Sequence, residues 1–337
     1  MVTADQETAR VLELFFDEAP SKIEVRNTSH GEEDFREAIL AEWVSGEKYV
    51  IKLAYNDFTF AEKIEAWKRC AEEYLKLGYY CPRILHSKNG NFPTVRYKGY
   101  DCVVYAEEYS KYRSAEDFGP DAASDYMDDA FAMTAKVAAA KFDYTDYPSG
   151  YCLFERFCPS DDTDEVMANA LEWKTYADTL PSDFQNQVTR IWQRWIENRE
   201  ALERIYRDLP TSVFQADLNT GNILLDDNGK FVGVLDFNLC GKDVFLNYLL
   251  REIRGTDEEY ELNSILCILK KIRGIYRFSD LEKETALQLY RCIKPLWFTR
   301  VQALKAAGSE IKAIRECLDR TEFVQTREID FASCMSD

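Results

Sequence analysis

The chain has 337 residues, 46% of them hydrophobic, with 60 acidic against 42 basic side chains and a formal net charge of −18. That charge disfavours a nucleic-acid ligand, whose phosphates would be repelled, and the length exceeds what one compact core uses and suits two lobes. No run of eighteen apolar residues occurs and Met1–Ala9 is polar, so neither a membrane helix nor a leader is expected and the reading is a soluble, cytoplasmic protein.

Ten cysteines are scattered without a C-x-x-C pair, which argues for reduced thiols over a disulfide frame or a zinc site. The two histidines, His30 and His86, stand too far apart for a Ser-His-Asp hydrolase or a His-rich metal site; His30 reads as a surface residue and His86 as a structural one.

In chain order, strands are expected at Lys22–Asn27 and Phe35–Trp43, joined by the turn Thr28–Glu32, which has one glycine and no G-x-G-x-x-G. Tyr49–Leu53 is an apolar strand with a single inserted lysine, Lys52, after the turn Ser45–Glu47. A helix is expected from about Phe60 to Leu77, with Gly78 and Pro82 as stop signals and Glu62, Glu65, Arg69, Glu72 and Lys76 at helical spacing. Asp101–Tyr109 is a strand running into a polar stretch, Glu107–Tyr109. Beyond it the chain reads as helices: Asp121–Lys141, Asp164–Ala177, Pro181–Asp208, Val244–Arg254, Asp257–Ile272 and two or three more between Ser279 and Glu316. Trp192, Trp195, Tyr290 and Trp297 fall at helical spacing and read as core.

The most specific stretch is Gln215–Asp236, QADLNTGNILLDDNGKFVGVLD. Asp217 and Asn222 lie five apart on an Asn/Thr/Gly loop; Ile223–Leu225, the turn Asp226–Gly229 and Phe231–Leu235 then spell a β-hairpin that brings Asp236 back beside the loop. Moving a γ-phosphoryl group asks a protein to orient the acceptor hydroxyl and to neutralise spreading negative charge. A carboxylate can accept the hydroxyl proton, the role read for Asp217, while an amide oxygen and a second carboxylate suit Mg2+, the role read for Asn222 and Asp236.

This stretch resembles the signature of the aminoglycoside phosphotransferase and choline kinase family, small-molecule kinases whose loop reads H-G-D-x-x-x-x-N and whose metal loop reads D-F-G. Gln215 stands where that family has His, and can both donate and accept hydrogen bonds. Asn238 stands in place of the Gly and is expected to keep the turn by tolerating positive φ. Asp243 and Asn247 occupy the places of a following Gly-Asp and a second acid.

The resemblance implies an α+β, bilobal, protein-kinase-like fold: a nucleotide-binding lobe over 1–106, a small antiparallel sheet with one main helix, and a larger helical lobe over 107–337 carrying the catalytic loop, the metal loop and the acceptor site. It implies ATP or GTP with Mg2+ as cofactors. Lys52 would reach the α- and β-phosphates, one of the helix acids would pair with it, with Glu65 chosen over Glu62 and Glu72, and Glu107, Glu108 and Tyr109 would form the hinge facing the base. The activity implied is transfer to a hydroxyl of a small molecule. Two alternatives use the same residues: a nucleotide-binding pseudokinase that regulates a partner, motivated by Gln215 and Asn238, and a kinase acting on a protein side chain.

Charge gives the hint about the acceptor. Residues 121–165 hold eleven acids against three bases, a difference of −8. Solubility alone accounts for such a surface; if part of it lines the acceptor cleft, it favours a cationic alcohol such as an aminoglycoside, an amino sugar or a choline-like compound.

Overall fold

The computed structural model describes residues 5–29, 31, 33–255 and 257–336. His30 and Glu32, in the turn between the first two expected strands, lie outside the described residues, as do residues 1–4. In chain order the elements are α1 (Gln6–Glu13), β1 (Lys22–Asn27), β2 (Phe35–Glu42), β3 (Lys48–Tyr55), α2 (Ala61–Lys76), β4 (Ile84–Leu85), β5 (Thr94–Tyr97), β6 (Tyr100–Glu108), β7 (Arg113–Ser114) and α3 (Ala115–Phe118). There follow α4 (Tyr126–Ala140), α5 (Glu165–Ala177), α6 (Ser182–Tyr206), β8 (Thr211–Phe214), β9 (Ile223–Leu225), β10 (Phe231–Val234) and β11 (Gly241–Val244). The chain ends in α7 (Phe245–Glu252), α8 (Glu258–Ile272), α9 (Asp280–Ile293), α10 (Phe298–Ala306), α11 (Ile311–Thr326) and α12 (Phe331–Met335).

Two compact units emerge: one holds Met1–Ala130, Cys158–Ser160 and Asp217–Gly241, the other Phe131–Phe157, Asp161–Ala216 and Lys242–Asp337. The first unit thus runs past the single boundary expected after residue 106 and takes in the loop and hairpin of the signature stretch.

The first unit is built on an antiparallel sheet in the order β1-β2-β3-β6-β4, with β5 also on β6. β2 alternates buried and half-buried residues along its whole length, the period-2 pattern of a strand with one face on a core. Ile39, Ala41, Ile51, Leu53, Cys102, Val104 and Ala106 fill that core beside Val11 and Leu12 of α1. The alternate residues of β3 and β6, Lys52, Tyr105 and Glu107, therefore project from the other face, toward which α2 sends Trp67, its ring centroid 6.1 Å from that of Tyr105. The second unit is mostly helical, with a two-stranded β8–β11 sheet. Trp195, Tyr290 and Trp297 are core residues there; Trp192 is half-buried and stacks on Trp195 at 5.7 Å.

No helix among the described residues is long and apolar enough to cross a membrane, and no disulfide joins the ten cysteines.

Candidate active site

The loop that follows β8 is ordered by its own side chains. Asn219 accepts from the amides of Gly221 and Asn222 at 2.8 and 3.1 Å through Oδ1, an Asx turn that competes successfully with extended backbone. Its Nδ2 donates to Asp217 Oδ2 at 2.8 Å, and Asn222 Nδ2 donates to the same oxygen at 2.9 Å. The side-chain amide of Asn222 thus uses its nitrogen on Asp217, which leaves its oxygen as the atom that could take a cation.

The hairpin forms where the alternation placed it. Leu225 pairs with Phe231 and Ile223 with Val234, with a bulge between Phe231 and Gly233. Asp226 closes the turn, its Oδ1 accepting from Asn228 and Lys230 amides at 2.9 and 3.0 Å, and these backbone donors hold its carboxyl below the usual range. The second strand ends with the Leu235 amide donating to the Asn222 carbonyl at 2.9 Å, so Asp236 is delivered beside the loop, as the spacing required. Asp236 has φ 59°, an αL conformation that carbon-branched side chains avoid and Asp tolerates, and one that clusters at functional positions.

Across the sheet, Lys52 Nζ lies 3.5 Å from Asp236 Oδ1 and 3.1 Å from Glu107 Oε2. Burial works against the lysine's charge, but the carboxylates of Asp236 and Glu107 outweigh it and hold the ammonium well above its ordinary range. Burial pushes the Glu107 carboxyl up, and the ammonium pulls against that shift.

Two expectations are corrected here, for Glu65 and Asn238. Glu65 does not pair with Lys52: it meets His86 Nε2 at 2.6 Å. α2 packs Ile64, Trp67, Cys70, Ala71 and Tyr74 inward, and at 3.6 residues per turn this leaves Glu62, Glu65 and Glu72 on the exposed side. Glu107 carries a nine-tenths-buried carboxylate that is the partner of Lys52, a side-chain role the sequence reading did not assign. Of the other hinge residues, the Glu108 and Tyr109 amides donate to the carbonyls of Arg83 and Lys48 at 3.0 and 3.1 Å. Asn238, last, is not among the non-glycine residues with positive φ; that role falls to Asp236. The following turn closes through the Cys240 amide on the Phe237 carbonyl at 2.9 Å and needs no left-handed residue.

Two site residues escaped the sequence reading. Ala216 takes φ 69° immediately before Asp217, where the signature has its glycine; the Gly-to-Ala exchange in the motif was the available signal. Gly233, inside β10, lets Tyr80 approach so closely that a Cβ would lie 1.8 Å from the Tyr80 carbonyl oxygen. Tyr80 bonds to both sides of it, donating to Val232 at 2.8 Å and accepting from Val234 at 3.0 Å, which clips the hairpin to the segment after α2. A glycine in a strand was the clue.

In the second unit Asp243 is buried and accepts from Ser149 Oγ at 2.7 Å, Tyr206 OH at 3.2 Å, the Val244 amide at 2.7 Å and Asn247 Nδ2 at 2.9 Å. Burial pushes its carboxyl up against those donors. An amide at 247 suits this neighbour, since a second carboxylate would supply no donor and add repulsion.

A family model for the phosphotransferase enzyme family matches residues 30–246, a span that includes Lys52, Glu107, Asp217, Asn222, Asp236 and Asp243. The chain belongs to this phosphotransferase family. It is a kinase, with the α+β, protein-kinase-like architecture. Solved structures of similar fold include an amicoumacin kinase in complex with AMP-PNP, Ca2+ and Ami (TM-score 0.56, 14% identity, covering 98% of this chain and 97% of that one). A microcompartment-associated aminopropanol kinase is similar at TM-score 0.56 and 13% identity, covering 94% of each chain. An aminoglycoside phosphotransferase from Alicyclobacillus acidocaldarius subsp. acidocaldarius is similar at TM-score 0.57 and 12% identity, covering 98% and 96%. No curated relative matches the chain. The phosphotransferase family fits the geometry of Asp217 and Asn222, which sit one hydrogen bond apart.

Proposed function

We propose that this phosphotransferase moves the γ-phosphoryl group of ATP, with Mg2+, to a hydroxyl of a small molecule, and that its acceptor is cationic. The observation that carries the reading is the joining of two halves of a site: Asn222 on Asp217 at 2.9 Å and Lys52 on Asp236 at 3.5 Å. Asp217 orients the acceptor hydroxyl and takes its proton. Lys52 holds the α- and β-phosphates. Asn222 and Asp236 would hold the metal: an amide oxygen and a carboxylate are hard donors of the kind Mg2+ takes when phosphates and water complete its shell. When bound, the ion neutralises charge on the transferring group. In this reading the unit with the sheet and hairpin binds nucleotide.

ATP is supported by the amicoumacin kinase of similar fold, which was captured with AMP-PNP and Ca2+. A cationic acceptor is supported by the acidic surface at 121–165 and by the amino-alcohol named for the aminopropanol kinase. Several of these acids have structural partners, Asp164 with Arg199 and Glu165 with Arg251. Glu155 lines a cavity of about 370 Å³ with Glu203, Arg204 and Arg207, where two bases balance the two acids, so the support from charge rests on the surface as a whole.

The test is a transfer assay with γ-labelled ATP over a panel of aminoglycosides, amino sugars, amino alcohols and neutral alcohols. Label on an amine-bearing alcohol supports the proposal; ATP binding with transfer to none of the panel contradicts it.

A further inference from the structure

Lys52 has two carboxylate partners among the described residues, and neither comes from α2. In the register of β3 on β6, Lys52 stands opposite Tyr105 and Val50 opposite Glu107, so Lys52 and Glu107 are diagonal neighbours on one face of the sheet. The stem of Lys52 runs past the Tyr105 ring, with Nζ 5.8 Å from its centroid, and Nζ ends 3.1 Å from Glu107. The Glu107 side chain is 11% exposed and that of Lys52 24%, which shelters the pair from the screening that weakens surface ion pairs. Glu65 points elsewhere, 55% exposed and bonded to His86.

We propose that Glu107 is the positioning residue of Lys52, so that the phosphate-holding lysine is set by the sheet itself and the acids of α2 take no part. This rests on the reading of Lys52 as the phosphate ligand. Asp236 is a shared partner: as a metal-holding carboxylate it gives its charge to the ion, and Glu107 is then the acid that keeps the ammonium aimed. Because β3 and β6 are adjacent strands joined by six register pairs from Tyr49↔Glu108 to Ala54↔Val103, the clamp is assembled whenever the sheet is folded. Movement of α2 would not disassemble it.

The experiment measures the acylation rate of Lys52 by an amine-reactive ester at pH 9 in the full chain, read by peptide mass spectrometry, with and without ATP and Mg2+. Removing the Glu107 charge takes away the partner 3.1 Å from Lys52 Nζ and leaves the amine freer to meet the reagent. Glu107→Gln, which keeps the shape and loses the charge, is expected to raise the nucleotide-free rate about tenfold, and Glu65→Gln to leave it at the wild-type value. In the same variants kcat/KM for nucleotide is expected to fall about tenfold for Glu107→Gln with the acceptor KM unchanged, a split that a role in packing alone would not give. Glu107→Asp serves if the Gln variant does not fold, with an intermediate rate expected. An unchanged rate in the Glu107 variants, or an equal rise in Glu65→Gln, overturns the inference while leaving the kinase reading intact. Failure of ATP and Mg2+ to protect Lys52 in the wild type overturns both.

Discussion

Asp217 has one carboxylate oxygen, Oδ2, held by two side-chain amides, Asn219 at 2.8 Å and Asn222 at 2.9 Å. Two donors on one oxygen fix the plane of the carboxylate, which in the proposed reading takes the hydroxyl proton. On the proposed role, replacing that carboxylate by an amide of the same shape removes the acceptor of the hydroxyl proton. Asp217→Asn is therefore expected to lower turnover by about 10²- to 10⁴-fold, with nucleotide affinity, measured by equilibrium titration, close to wild type. A parallel loss of nucleotide affinity would place Asp217 in binding and not in proton transfer. Asn219 shows how much of the site depends on local chemistry: one side chain caps two backbone amides and holds the Asp217 carboxylate, all within the six residues 217–222.

At the scale of elements, the hairpin β9–β10 does the positioning. It follows Asn222, leads into Asp236, and is pinned from the side by Tyr80 against Gly233. A methyl at 233 would overlap the Tyr80 carbonyl, so Gly233→Ala must push the strand away. We expect a loss of about 1–3 kcal/mol in stability, read as a lowered thermal midpoint, together with reduced turnover; an unchanged midpoint would show that the Tyr80 clip is dispensable. The hairpin, its turn and the return of Asp236 were legible in the sequence, because turn residues and alternation are local signals. So were α2, expected over about Phe60–Leu77 and found over Ala61–Lys76, and most helices of the second unit. The partner of Lys52 was not legible. It depends on strand register and on which face α2 buries, both decided by contacts between residues far apart in the chain; α11 likewise runs to Thr326, beyond the expected end at Glu316.

Buried charge in the helical unit gives a second test at this scale. Lys294 of that unit is buried, donates to the Ile253 carbonyl at 2.7 Å and meets Glu261 at 3.2 Å. Burial outweighs the pull of Glu261 and lowers the lysine to about 8. A lowered value means that the unfolded chain binds the extra proton between about 8 and the ordinary lysine value near 10.5. The contribution of this group to stability therefore rises with pH across that window. Relative to Lys294→Met, the wild type is expected to gain about 2–3 kcal/mol between those limits, measured as the difference of denaturant unfolding curves. A difference that does not change with pH would contradict the assignment.

For the whole molecule, a net charge of −18 sets the field that an incoming acceptor meets. A cationic alcohol is drawn in and a neutral one is not, and the attraction weakens as salt shortens the Debye length from about 10 Å at 0.1 M to about 3 Å at 1 M. The KM for an amine-bearing acceptor should rise severalfold over that range while the KM for a neutral one stays level. Equal rates and equal salt responses would remove charge from the account of specificity.

Underlying all of this is the claim that the loop and the hairpin gather one amide and two acids around a nucleotide's terminal phosphates. A crystal structure of the full chain grown with Mg2+ and a nonhydrolysable ATP analogue tests it most directly. The account requires Asn222 Oδ1 and the Asp236 carboxylate on one ion, Lys52 on the phosphates, and Asp217 facing the open space beyond the last of them. An analogue bound away from these residues, or Asn222 and Asp236 turned to different sides with no shared ion, would contradict it.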